Sequence, residues 1–253
     1  MTDLAGLHVE RRGSGPVVAL VHGFTQTGGS WGAIADELAA DHEVVLVDAP
    51  GHGGSTTVEA DLETGAALAA DAVGPAVWVG YSMGARLCLN VAVHHPDVVR
   101  GLVLVGGTAG IEDTAERAAR QEQDRATAAR LDELGVDAFL EEWLAQPLFA
   151  SLPADAAGVD DRRRNTVAGL RSSLERAGTG SMAPLWDRLG ELHMPVLAVA
   201  GEQDERYAAL ARRIAASVGG PSEVALVPSA GHAAHLEQPA AFVQLLRRWL
   251  EVS

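Results

Sequence analysis

One pentapeptide restricts this chain more than any other stretch. Gly80-Tyr81-Ser82-Met83-Gly84 follows the apolar run Ala76-Val77-Trp78-Val79 and leads into the helix-like segment 85–93. A strand that turns into a helix within so few residues must hold the turning residue in strained backbone geometry, which lifts its side chain clear of the sheet. Glycine is needed on either side, because a Cβ there would collide with the neighbouring strand and helix. With 28 glycines in 253 residues, a G-x-S-x-G arises by chance in roughly one chain in five to ten, so the spacing alone is weak. Its setting between strand and helix is strong: this is a nucleophile elbow presenting the Ser82 hydroxyl.

Serine is a poor nucleophile or base near neutral pH unless a histidine takes its proton and an acid orients the imidazole. Behind such an elbow the partners follow in the order serine, acid, histidine. Residues 195–201 read as a buried strand ending in Glu202-Gln203-Asp204, and 223–227 as the last strand, followed by Pro228-Ser229-Ala230-Gly231-His232. Two loops at one edge of a parallel sheet thus bring Asp204 and His232 to Ser82. Glu202 competes for the acid role, but the position three after Gly201 suits the loop better. His235 competes for the base, yet it lies near the start of the last helix, where a supporting or substrate contact is expected. Singly, Asp204 reads as well as a turn residue and His232 as a surface histidine; all three in order at strand ends do not. Upstream, strand 17–21 runs into His22-Gly23-Phe24. This loop is expected to supply one oxyanion-hole donor, the Phe24 N–H, with the Met83 N–H as the second. His22 itself is expected to hold the loop by a hydrogen bond. Together these elements resemble the α/β-hydrolase fold.

The remaining pattern agrees with that class. Strand-like runs at 7–11, 17–21, 44–47, 76–79, 101–105, 195–200 and 223–227 are mostly continuously apolar, as parallel strands covered on both faces must be. Helix-like stretches at 31–40, 62–73, 83–93, 208–218 and 240–250 separate most of them, which points to an α/β, mostly parallel, doubly wound sheet. Between 108 and 192 no strand signal appears, too long a gap for an ordinary crossover. There 115–134, 136–145 and 166–177 read as helices. The expected organisation is a core of 1–107 and 193–253 with an inserted helical cap, 108–192, over the sheet edge that carries the triad. Caps of this kind decide substrate.

Composition removes several functional classes. Hydrophobic residues at 47% exclude disorder as the default. A net charge of −15 disfavours non-specific binding to nucleic acid or anionic membrane. No apolar run approaches a membrane span, and residues 1–9 lack a basic segment followed by an apolar one. Cys88 is the only cysteine, so no internal disulfide forms and a reducing cytoplasm is the simplest compartment; it is expected to be packed core. No histidine spacing suits a metal, and Gly51-His52-Gly53-Gly54 lacks the order of a dinucleotide fingerprint, so neither metal nor cofactor is expected. Monomer and homo-oligomer are equally compatible with the chain.

All 19 cationic residues are arginine, and ten of them lie between Arg117 and Arg188. Arg86 is the most informative. It falls in the first turn of the otherwise apolar helix after the elbow, where a cation opposes the helix dipole at a cost of up to about 1 kcal/mol, with desolvation extra. An anion held one turn from Ser82 explains it; the alternative is a buried salt bridge to Asp48 or Asp204. Arg120 has Glu116 as its ordinary i, i+4 partner. In Arg162-Arg163-Arg164-Asn165 one guanidinium is expected to point inward, while such runs are usually solvated faces. Trp143 and Phe149 read first as packing within the cap. The sum is a pocket for a small molecule with several carboxylates, each a partner for a guanidinium fork.

Four segments carry a closer resemblance: Ser82-Met83-Gly84-Ala85-Arg86, Glu116-Arg117-Ala118-Ala119-Arg120, Trp143-Leu144-Ala145-Gln146-Pro147-Leu148-Phe149 and Gly178-Thr179-Gly180-Ser181-Met182-Ala183-Pro184-Leu185-Trp186. They resemble the bacterial 2-succinyl-6-hydroxy-2,4-cyclohexadiene-1-carboxylate synthases of menaquinone biosynthesis, over nearly the whole chain, cap included. The resemblance implies loss of pyruvate from a tricarboxylate by 2,5-elimination, without net hydrolysis. It implies that Ser82, activated by His232 and Asp204, removes a ring proton, and that Tyr81, Arg86, Arg120 and Trp143 contact substrate. The third arginine of that pocket falls in the 162–164 run, with Arg162 the choice. This chain departs from some members at Ala233, where they carry Asn. Two rivals stand beside this reading. A serine carboxylesterase or carbon–carbon bond hydrolase explains the triad but leaves the arginines without a purpose. A non-catalytic receptor on the same fold could keep both.

Overall fold

The valine-rich runs pair into one seven-stranded sheet, in the order β1-β3-β2-β4-β5-β6-β7. The computed structural model describes residues 6–251, so the outermost residues of the expected core lie outside the described ones. The strands are β1 (Val9–Gly13), β2 (Val17–Val21), β3 (Glu43–Val47), β4 (Ala76–Tyr81), β5 (Val99–Val105), β6 (Val196–Gly201) and β7 (Ser222–Val227). All pairings are parallel except β1 with β3 at the edge. β1 begins at Val9 rather than 7, because the N–H of His8 donates to Ser55 Oγ instead of entering the ladder.

Strand alternation explains the unbroken apolar runs. In β2, Ala19 and Val21 face one core with α2 (Leu62–Val73) and α3 (Met83–His94), while Val18 and Leu20 face the other with α1 (Gly32–Leu38) and α9 (Pro239–Leu250). Burying such a side chain contributes roughly 1.5–3 kcal/mol, so both faces must be covered. The chain winds from β2 to β3 in one direction and from β4 to β7 in the other. The crevice beyond the carboxyl ends of β2 and β4 is therefore the topological switch point, where ligands bind in such sheets.

Between β5 and β6 the described chain is helical: α4 (Thr114–Leu144), α5 (Val159–Arg162) and α6 (Val167–Ala177). The expected break inside α4 is present at Gly135, whose φ of 71° interrupts the helix. Leu131 and Phe139 of α4 pack on Leu170 of α6. α5 and α8 (Ala234–Glu237) were not anticipated; four residues each are too few to show a helical period. α7 (Glu205–Ser217) starts three residues before the expected 208 because Asp204, its N-cap, accepts the Tyr207 N–H and sets the start ahead of the apolar periodicity. No helix among the described residues is long and apolar enough to cross a membrane.

Candidate active site

β4 ends at Tyr81 and α3 begins at Met83, so Ser82 makes the whole turn, at φ 52° and ψ −104°. Gly84 permits it: a Cβ there would meet the backbone oxygens of Val21 and His22, while at Gly80 it would strike the backbone of Gly84 and Ala85. Loops after β6 and β7 bring in the partners. His232 Nε2 lies 3.1 Å from Ser82 Oγ, and Nδ1 lies 2.9 Å from Asp204 Oδ2. The Nδ1–H thus donates to the carboxylate and leaves Nε2 to accept from the serine hydroxyl. The imidazole is flanked by the rings of Tyr207 and Tyr81, at centroid distances of 4.4 and 5.4 Å. Glu237 grips the loop on both sides of it, accepting from the N–H of Gly231 at 2.7 Å and of Ala233 at 3.0 Å.

The competing residues go elsewhere. Glu202 is exposed and accepts the Ser229 N–H at 3.2 Å. His235 is fully buried against Tyr81 and Trp31, with ring centroids at 4.4 and 4.6 Å, and its ring nitrogens have no partner among the described residues. A substrate contact by His235 is therefore corrected: its ring sits in the core behind Tyr81's, outside the cavity lining. His22 does hold its loop, accepting the Ala49 N–H at Nε2, so that Nδ1–H donates to Gly23 O. Cys88 is buried in the core, and burial pushes its thiol pKa up.

Burial lowers the pKa of both His235 and His52 to about 3. The unfolded chain, with ordinary histidines, then binds more protons than the folded one between about pH 6.5 and 3. Their neutral burial costs nothing above that window and destabilises progressively as pH falls through it. Acidification from pH 7 to 5 should remove on the order of 2 kcal/mol per histidine, read from urea unfolding at the two pH values. Burial lowers the pKa of His22 as well, so His235→Phe should remove only its own share, on the order of 2 kcal/mol, and leave those of His52 and His22 in place. An unchanged slope would mean that His235 is protonated in the folded protein.

The Ser82 hydroxyl opens on a cavity of about 660 Å³ between the sheet edge and the helices that follow β5. Phe24 and Met83 line it, and their N–H groups have no partner among the described residues. Arg86, Arg120, Arg162, Trp143 and Tyr81 line it too. Arg86 is 7% exposed and donates from Nη1 to Ala177 O at 2.6 Å. It pairs with neither Asp48 nor Asp204, so the salt-bridge alternative is corrected: Asp48 is occupied by the N–H groups of Gly28 and Gly54, and Asp204 by His232. Desolvation draws its pKa down to about 10, still leaving it cationic at neutral pH. Arg120 pairs not with Glu116 but with buried Asp124, at 2.8 Å. Of the arginine run only Arg162 lines the cavity, donating to Ala157 O, Phe24 O and Thr25 Oγ1 and so tying down the Phe24 loop. Arg163 and Arg164 pair with acids on the surface. Trp143 and Phe149 do pack as expected, Trp143 against Phe139 and Phe149 with centroids at 5.9 Å, and both also line the cavity.

Sequence reasoning missed Asp124, Arg206 and Tyr207, which also line the cavity. The i, i+4 spacing from Arg120 could have found Asp124. Arg206 and Tyr207 follow Asp204 by two and three residues, and that adjacency was the available signal. Among the described residues no group of His, Cys, Asp and Glu could hold a metal ion.

This arrangement can pass a proton from Ser82 to His232, deprotonate or attack a bound molecule, and hold anionic groups beside the reacting atoms. Known proteins resemble this chain in sequence and in overall structure. Residues 18–245 match the alpha/beta hydrolase family. The 2-succinyl-6-hydroxy-2,4-cyclohexadiene-1-carboxylate synthase of Escherichia coli O1:K1 / APEC is 32% identical, over 93% of this chain and 94% of that protein. The structure of MenH from S. aureus superimposes with a TM-score of 0.90 at 27% identity, covering 96% of this chain and 98% of that one. A thermophilic esterase from Thermogutta terrifontis, in a malate-bound structure, gives a TM-score of 0.81 at 26% identity, over 97% of this chain and 93% of that one.

Proposed function

We infer the function from one premise: the chain belongs to the alpha/beta hydrolase family and, within it, to the 2-succinyl-6-hydroxy-2,4-cyclohexadiene-1-carboxylate synthases. It is accordingly an enzyme with a role in menaquinone biosynthesis. The reaction we assign to it is loss of pyruvate from 2-succinyl-5-enolpyruvyl-6-hydroxy-3-cyclohexene-1-carboxylate. The observation that carries this reading is the buried Arg86 guanidinium, without an acid partner, in the same cavity as the Ser82–His232–Asp204 chain. A neutral ester needs no such cation, and burying one is costly unless an anion meets it.

The residues suit a proton abstraction. The ring C2–H is acidic because the succinyl carbonyl is attached there. Ser82, its own proton drawn to His232 Nε2, takes the C2 proton; Asp204 stabilises the imidazolium that results. The electron pair moves through the ring, the C5–O bond breaks, and the enolpyruvyl oxygen leaves with the pair to become pyruvate once protonated. The N–H groups of Phe24 and Met83 would hold the enolate oxygen as charge develops. Arg86, Arg120 and Arg162 would hold carboxylates, with Tyr81 and Trp143 against the ring. Residues 108–192 then act as the cap over a core of 1–107 and 193–253. The same reading makes a small polycarboxylate the partner and the cytoplasm the compartment.

The same serine chain with two free N–H groups also fits acyl transfer, which keeps an esterase as the second reading. Pyruvate release from the pathway substrate, followed by coupled reduction, separates them; ester cleavage without pyruvate would sink the lyase assignment. Arg86 sharpens the comparison. Arg86→Ala should cost roughly 2–4 kcal/mol in kcat/KM for the tricarboxylate and little for an uncharged nitrophenyl ester. Arg86→Lys should recover only part, since a point charge lacks the planar fork. A uniform loss on both substrates with a large drop in Tm would assign Arg86 a structural role instead.

A further inference from the structure

We propose that Arg206 is an additional carboxylate anchor, at the mouth of the cavity, that captures the polyanionic substrate before it reaches Arg86. The proposal rests on the polycarboxylate reading above and extends it to a residue that neither motif nor resemblance had singled out.

Four arginines line the cavity, and three have already committed donors. Arg86 donates to Ala177 O, Arg120 to Asp124, and Arg162 to Ala157 O and the Phe24 loop. Arg206 is exposed and its guanidinium makes no hydrogen bond or ion pair among the described residues, although it borders the same cavity. Most exposed arginines of this chain are matched: Arg130 by Glu133 and Glu142, Arg163 by Asp137 and Asp160, Arg171 by Asp132 and Glu175. Exposed Arg100, Arg212 and Arg248 also have no partner among the described residues, but none of them borders this cavity; Arg206 alone combines a bare guanidinium with a place at its mouth, where an anion would arrive.

Its position is also set. The Arg206 guanidinium carbon lies 5.8 Å from the centroid of the Tyr207 ring, and that ring lies 4.4 Å from the His232 imidazole. A carboxylate on Arg206 is thus one aromatic ring away from the base. Contact with a π face leaves the N–H edges of a guanidinium free to bind a carboxylate fork. The field of the whole protein gives the anchor its purpose. At a net charge of −15 the chain repels a trianion at long range, and an exposed cation at the mouth opposes that repulsion where capture happens.

The test compares wild type, Arg206→Ala, Arg206→Lys and Arg212→Ala. Arg212 sits on the same helix, also has no partner among the described residues, and does not border the cavity. For turnover of the cyclohexene tricarboxylate at low salt, Arg206→Ala should lower kcat/KM about tenfold, with kcat within about twofold. Raising the salt should shrink that gap. Arg206→Lys should keep most of kcat/KM, and Arg212→Ala should match wild type. Calorimetric binding of propane-1,2,3-tricarboxylate should weaken in parallel in Arg206→Ala, a readout independent of chemistry, with Tm unchanged. Equal behaviour of the Arg206 and Arg212 variants would overturn the anchor, as would a loss confined to kcat, which would place Arg206 behind Tyr207 and the imidazole. If wild type releases no pyruvate, the lyase reading fails; tricarboxylate binding by the two variants still decides the anchor.

Discussion

Ser82→Ala is expected to lower kcat for pyruvate release by at least about 10³-fold while the protein folds normally. The size of the loss follows from the geometry. Ser82 Oγ is the atom 3.1 Å from His232 Nε2, and without it the imidazole has no hydroxyl to activate at the elbow. What survives is the binding of carboxylates by arginine and any help from the Phe24 and Met83 N–H groups. Stability should hardly move, because the hydroxyl caps no backbone donor of α3 and its hydrogen bond is to His232. Alanine inherits the same positive φ of 52° and the same strain, so no more than about 1 kcal/mol should be lost. The measurement is steady-state pyruvate release alongside urea unfolding. Activity within tenfold of wild type would remove Ser82 from the chemistry and leave His232 as a base acting on its own.

Asp204→Asn should cost a comparable two to four orders of magnitude, roughly, through the tautomer of His232. Asp204 has two separate duties. Its Oδ1 accepts the Tyr207 N–H as the cap of α7, and its Oδ2 accepts from His232 Nδ1. Asparagine is as good an N-cap as aspartate, so α7 keeps its start and Tm should change little. Toward His232, however, an amide N–H₂ favours an imidazole that accepts at Nδ1 and carries its proton on Nε2, where it can no longer take the proton of Ser82. Asp204→Ala would confuse the two effects by removing the cap as well, at about 1 kcal/mol. Glu202→Gln is the control and should behave as wild type, because Glu202 touches only the Ser229 N–H. Full turnover in Asp204→Asn with loss in Glu202→Gln would transfer the orienting role.

The amino-acid sequence by itself determined the strands, their alternation with helices, the elbow at Ser82, and Asp204 and His232 in order behind it. These are local properties. Continuous apolar runs, turn residues and the spacing from a strand end to a polar side chain are written within a few residues of one another. It also placed a cation at Arg86, since a charge in an otherwise apolar helix stands out without any structure. Tertiary structure alone decided which groups face one another across the fold. Residues 82, 204 and 232 meet only because β4, β6 and β7 share one parallel sheet edge, and that geometry separates Asp204 from Glu202. Arg162 faces the cavity as the last residue of α5, while Arg163 at its C-cap and Arg164 in the turn beyond leave in other directions and find acids outside. His235 shows the same limit from the other side. Three residues from His232 in the chain, it is turned into the core against Trp31 and Tyr81, side chains contributed by segments far away in sequence. Hydrogen bonds and burial are set by through-space neighbours, and no pattern along the chain records which distant residue will occupy the other end.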